Sequence, residues 1–133
     1  MSSNGISRRG ALAAVSAAAA TAACASDVAT PPYEGEVAFR HGVASGDPQA
    51  DRVVIWTRVS PVNEGEVPVR WIVARDRALS DVVKTGVAVA NAARDYTVKV
   101  DVTRLRAGAP YFYGFRAGAA DSPIGKTRTL PRG

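Results

Sequence analysis

Cysteine is nearly absent from this chain. It has one, Cys24, and likewise a single histidine, His41, and a single methionine. A lone cysteine excludes an intrachain disulfide, so packing alone must hold whatever folds. A lone histidine is too little for a metal centre of the hydrolytic kind, which gathers several Asp, His and Asn or Cys side chains around its ions. No Ser-His-Asp set can be assembled, and beyond Cys24 there is no thiol nucleophile. Clustered charge is missing too. The 17 Lys and Arg against 12 Asp and Glu give a formal charge of +5. The basic residues, among them Arg52, Arg70, Lys84, Lys99 and Arg116, are scattered at strand spacing between apolar neighbours. Nucleic-acid binding needs a basic stripe, so no nucleic-acid partner is expected. Strongly apolar runs are also lacking. The uncharged stretch from Gly10 to Ala25 is mostly alanine, too short and too mild for a bilayer span of roughly 20 apolar residues.

That stretch reads instead as the middle of an export signal covering residues 1–25. Ser7-Arg8-Arg9-Gly10-Ala11-Leu12 resembles the twin-arginine (Tat) pattern, and Ala23-Cys24-Ala25 supplies small-x-small cleavage after Ala25. The weak hydrophobicity leaves the paired arginines to select the Tat route and its export machinery. Without Arg8 and Arg9 the formal charge falls to +3. An ordinary N-terminal helix is the plain alternative, because alanine is the best helix former, but no polar face recurs at period 3.6. Lipid attachment at Cys24 is a second alternative. It wants a large aliphatic residue three positions earlier, where Thr21 stands. The expected location is periplasmic or secreted, or membrane-anchored if Cys24 is lipidated.

Residues 26–36 read as a linker: Pro31-Pro32, Gly35, small residues and no periodicity. From residue 37 to residue 131 short β-type runs alternate with turn signals, and no helix pattern intervenes. This predicts an all-β antiparallel sandwich of fibronectin type III or immunoglobulin-like type. Seven strands are expected: Phe39–Ala44, Arg52–Val59, Val67–Ala74, Asp81–Val89 with a break at Gly86, Tyr96–Val102, Tyr111–Arg116 and Ile124–Leu130. Ser45-Gly46-Asp47-Pro48 reads as the turn that stops the first. Tyr96, Val98, Val100 and Val102 alternate with polar residues, giving one dry and one wet face. Trp56, Trp71, Val98, Val100, Tyr111 and Tyr113 are expected in or against the core. Leu105-Arg-Ala-Gly-Ala-Pro-Tyr111 resembles the corner before the sixth strand of fibronectin type III domains. There a tyrosine hydroxyl bonds to backbone just upstream and the leucine packs beneath. The usual proline two residues after that leucine is Ala107 here.

His41 reads as a partly buried strand residue with its ring nitrogens hydrogen-bonded, not as a ligand. Gly42-Val-Ala-Ser-Gly46 is not a phosphate cradle, because a strand follows it and no helix N-terminus points at an anion.

Several motifs together resemble the N-terminal domain of the alkaline phosphatase D (PhoD) family. They are Gly42-Val-Ala-Ser-Gly-Asp-Pro48, Val54-Ile-Trp-Thr-Arg58 and Asp95-Tyr-Thr-Val-Lys-Val-Asp101, supported by Tyr111-Phe-Tyr-Gly-Phe115 and Gly125-Lys-Thr-Arg-Thr129. The resemblance runs from about Phe39 to Pro131, and the Tat-type leader agrees with it. It implies an exported enzyme that hydrolyses phosphate mono- or diesters at a metal centre described with iron and calcium. It also implies that those ligands lie in a separate metallophosphatase catalytic domain. No position here matches their motifs, so no catalytic, cofactor-binding or metal residue is carried over. The expectation is a non-catalytic sandwich, inactive alone, in a chain truncated before its catalytic domain. That domain is its expected partner. The alternative is a free-standing exported binding module. A continuous apolar patch on one sheet favours the first, since a missing domain must have covered something.

Overall fold

Alternation of apolar and polar side chains governs the architecture from residue 37 onward. The structure is a computed structural model that describes residues 29–132. Arg8, Arg9, Cys24, Ala25 and the first three linker residues lie outside the described residues. Ten strands follow one another: β1 Val37–Ala38, β2 Val43–Gly46, β3 Val53–Arg58, β4 Ser60–Pro61, β5 Val67–Ala74, β6 Val82–Ala90, β7 Thr97–Val102, β8 Pro110–Ala117, β9 Ala120–Asp121 and β10 Gly125–Arg128. One 3₁₀ turn, Ala92–Arg94, joins β6 to β7 and is capped by Asn91, whose side chain accepts from the Arg94 N–H.

All pairings are antiparallel. One sheet has the order β2-β3-β7 and the other β10-β8-β5-β6, with β9 folded back on β8 and β1 paired to β4. Counting the seven strands of four residues or more, the orders are first-second-fifth and seventh-sixth-third-fourth. This is the sandwich topology of a fibronectin type III domain, as expected. The core is aliphatic on the three-stranded side, with Val53, Ile55, Val98 and Val102. It is mixed on the other, where Val67, Val69 and Val73 meet Tyr111, Tyr113 and Phe115. Tyr113 and Phe115 pack edge to face with centroids 6.4 Å apart, a favoured arrangement of ring quadrupoles.

Val98, Tyr111 and Tyr113 lie in the core, and Trp71 and Val100 pack against it. Trp56 does not; its side of β3 faces outward, and the residue is 49% exposed. The register explains the difference. Val53, Ile55 and Thr57 stand opposite Val102, Val100 and Val98. These are the dry residues of β7, so period-2 geometry sends Trp56 to the wet side with Lys99.

The first strand is also displaced. Phe39 to Gly42 turn, with Gly42 at φ 72°, and the strand proper runs through Ser45 and Gly46. Buried Thr57 fixes that turn, its hydroxyl donating to the Gly42 carbonyl at 2.7 Å. Nor does β6 break at Gly86. Gly86 pairs with Trp71, and the indole covers it.

The expected tyrosine corner is present. The Tyr111 hydroxyl accepts from the Arg106 N–H at 2.9 Å, and Leu105 is buried beneath. Thr129 seals the same end. Its buried hydroxyl accepts from the Ala109 N–H at 3.0 Å and donates to the Arg106 carbonyl at 2.6 Å. Pro131 lies against Gly108 there, at the start of β8. Tyr33, by contrast, rests on Gly118 beyond the far end of β8 and is packed against the core, so this part of the linker is held to the domain.

Candidate docking face

Trp56 occupies the middle of the outer surface of the β2-β3-β7 sheet. Its neighbours in register are Ala44 on β2 and Lys99 on β7. Alanine is too small to cover an indole, and lysine carries its charge past it on a flexible stem, so the ring stays open on both sides. An open groove of about 230 Å³ runs along one side, lined by His41, Gly42, Ala44, Trp56 and Thr97 among others. A smaller hollow of about 100 Å³ lies on the other side, between Trp56, Val54, Lys99 and the β2 end at Ser45–Asp47. Val54 then continues the surface into a shallow basin floored by Pro48, Gln49 and Arg52.

Ion pairs rim this apolar strip. Arg52 meets Asp51 at 3.3 Å and Asp101 at 3.4 Å. The hydrogen bond and charge of Asp51, followed by the charge of Asp101, hold the Arg52 guanidinium above its ordinary value. At the opposite end Arg58 meets the Asp95 carboxylate at 2.8 Å and also donates to the Asp95 carbonyl at 3.1 Å. Asp95 sits at φ 55°, and the two contacts from Arg58 hold that left-handed turn. Exposed pairs of this kind are screened by solvent and add little to stability. Arg58 and Asp95 cancel, whereas Arg52 stands against two carboxylates and leaves that end of the rim negative. Lys99 has no carboxylate partner among the described residues.

His41 lies at the mouth of the groove, exposed, rather than partly buried in a strand, because Gly42 turns the chain there. Gly42 leads directly into strand β2, Val43–Gly46, and β3 follows it, with no helix N-terminus beside it among the described residues. Among the described residues no three His, Cys, Asp or Glu side chains converge as a metal site requires. Arg8, Arg9, Ala25 and Cys24, read in the sequence as an export signal, lie outside the described residues.

The surface role of Trp56 was accessible in the sequence only through its neighbour. Val53-Val-Ile-Trp-Thr57 is apolar on both faces and names neither as dry. The clean alternation of β7 names its own dry face, and pairing β3 to it decides the matter.

The chain's last described turn meets this face. The Leu130 N–H donates to the Gln49 carbonyl at 3.0 Å, and the Leu105 N–H donates to the Asp51 carbonyl at 2.8 Å. Leu130 therefore passes beside Gln49, which lines the same basin as Val54, before Pro131 packs on Gly108.

Known proteins are similar in fold and in sequence. Residues 22–131 match the family described as PhoD-like phosphatase, N-terminal domain. Among curated proteins, alkaline phosphatase D of Bacillus subtilis (strain 168) is 42% identical over 100 residues, which is 70% of this chain and 17% of that protein. Among solved structures, one described as the structure of PhoD superposes with a TM-score of 0.70 at 37% identity. The match covers 77% of this chain and 21% of the other. The chain thus spans about a fifth or less of the relatives it matches.

Proposed function

The chain belongs to the PhoD-like phosphatase N-terminal domain family, and we propose that it serves as the non-catalytic sandwich of an exported alkaline phosphatase or phosphodiesterase. The reading is carried by the match of residues 22–131 to a domain that is, by its description, the N-terminal part of a phosphatase. In this reading a separate metallophosphatase region hydrolyses phosphate mono- or diesters and holds the iron and calcium that the family resemblance implies. The described residues do not fit such a centre, because no three ligating side chains converge. The sandwich instead acts as a scaffold. Its two-sheet core is self-contained, so it offers the catalytic region a rigid surface.

Export through the Tat machinery belongs to the same proposal. Arg8 and Arg9 supply the paired guanidinium groups and Ala25 the cleavage position, with delivery to the periplasm or the medium. Cys24 is the lipidation point if the product is anchored.

The direct test is an activity assay. The purified chain, supplied with iron and calcium, is expected to leave a chromogenic phosphate mono- or diester uncleaved. Turnover above the buffer blank that a chelator abolishes overturns the non-catalytic reading.

A further inference from the structure

We propose that the outer face of the β2-β3-β7 sheet, centred on Trp56 and Val54, is the surface that docks the metallophosphatase region. This rests on the accessory-domain reading above. Four observations converge on the face.

The first is the side chain itself. A tryptophan in mid-strand, 49% exposed, keeps a large apolar area in water with no neighbour to cover it. Tryptophan is enriched among the residues that dominate protein interfaces, where it sits centrally inside a ring of less critical contacts. Here that ring exists: the pairs Arg52–Asp101 and Arg58–Asp95 flank Trp56 along the strand.

The second is shape. Grooves lie on both sides of the indole, so a partner can interdigitate with it rather than lie flat.

The third is charge. Arg52 and Arg58 are paired, and Lys99 shares its hollow with Asp47, so beside Trp56 the face offers a partner one unpaired cation and one unpaired carboxylate. The matching surface should offer an apolar pocket for the indole and a carboxylate for Lys99.

The fourth is chain path. The family's domain is N-terminal by description, and its matched relatives are several times longer than the match. Leu130 bonds both Gln49 and Gly108, and Pro131 packs on Gly108, so polypeptide continuing past residue 132 starts at the end of the sandwich that Gln49, a neighbour of Val54 in the basin, shares with Gly108. The outer face of the other sheet shows exposed Val87 and Val89, but these lie on β6, an edge strand of that sheet.

The experiment pairs the full chain with alkaline phosphatase D of Bacillus subtilis from which the matched domain has been deleted. The two are co-produced, and co-purification of the enzyme on the tagged chain is measured. The unchanged chain is expected to retain the deleted enzyme. Trp56→Glu is expected to reduce retention at least tenfold, Lys99→Glu severalfold, and Val87→Glu on the opposite sheet not at all. Circular dichroism checks that each variant is folded; both docking positions point away from the core. Full retention by folded Trp56→Glu and Lys99→Glu chains overturns the docking face and leaves the accessory reading standing. Loss with Val87→Glu alone moves the contact to the other sheet and also overturns it. No retention by the unchanged chain overturns both proposals.

Discussion

The indole of Trp71 lies across Gly86, its register partner on the neighbouring strand. A Cβ at Gly86 would stand 2.7 Å from the ring Cζ2 and 2.8 Å from Nε1. Tyr113 treats Gly125 the same way, its ring occupying the space where that Cβ would stand. In each case an aromatic ring fills the space that glycine leaves on a pleated strand and shields the backbone beneath it. Both rings belong to the β10-β8-β5-β6 sheet, and both glycines belong to its edge strands.

Gly86→Ala and Gly125→Ala should therefore destabilise the domain, although alanine is ordinarily the better strand residue. Displacing a packed ring costs about 1–3 kcal/mol. Gly46→Ala is the control: nothing lies within 4 Å of its Cβ position. It should stay within about 0.5 kcal/mol of the parent. Urea unfolding midpoints with unchanged slopes check all three.

Tyr111→Phe removes the acceptor for the Arg106 N–H and leaves the ring in place. The expected loss is about 1–2 kcal/mol, the range for a partly buried donor left unpaired. Thr129→Val should cost at least as much, because its hydroxyl serves Ala109 and Arg106 together. Chemical denaturation measures both, and amide exchange at Arg106 should quicken in the tyrosine variant.

Burial pushes the Tyr113 phenol up from its ordinary value, and a hydrogen bond with Ser45 offsets this only in part. A group raised in the folded state contributes stability that is complete below the unfolded value, about 10 for tyrosine. That contribution is lost as pH rises through the folded value. Stability should fall above about pH 10, and Tyr113→Phe should flatten that part of the fall. Thermal unfolding from pH 8 to pH 11 tests it. Asp76 runs the other way. The Ser80 hydroxyl, then the Asp81 N–H, hold its carboxyl below the usual range, so its contribution disappears as pH drops through that lowered value.

Replacing Arg8 and Arg9 by Lys should abolish export while the precursor still folds, since a guanidinium pair is not interchangeable with two ammonium groups. Fractionation of cells making the tagged precursor checks this. Undiminished export of the lysine variant refutes the leader reading.

Most of the sandwich was legible because its strands announce themselves by alternation, and β7 does so without ambiguity. Leu105 and Tyr111 were legible because the corner is local, six residues apart with turn residues between. What escaped were features set by register across strands. Gly86 looks like a strand breaker until Trp71 is placed opposite it, and Trp56 looks like core until β3 is laid against β7. Gly42 looked like the middle of a strand because its φ of 72° has no sequence mark beyond glycine itself. The docking face was invisible for the same reason as Trp56. No local pattern distinguishes a tryptophan waiting for a partner from one already buried.

The two terminal contacts give the domain a direction. Tyr33 enters beside Gly118 and Pro131 leaves beside Gly108, at opposite ends of the eight residues of β8. At about 3.3 Å per residue, the two are held roughly 26 Å apart by one rigid strand. Tyr33 and Pro131 are thereby kept a fixed distance apart. Were the front end fastened to a membrane through Cys24, the sandwich would work as a stand-off, lifting the far end clear of the lipid headgroups and their charge.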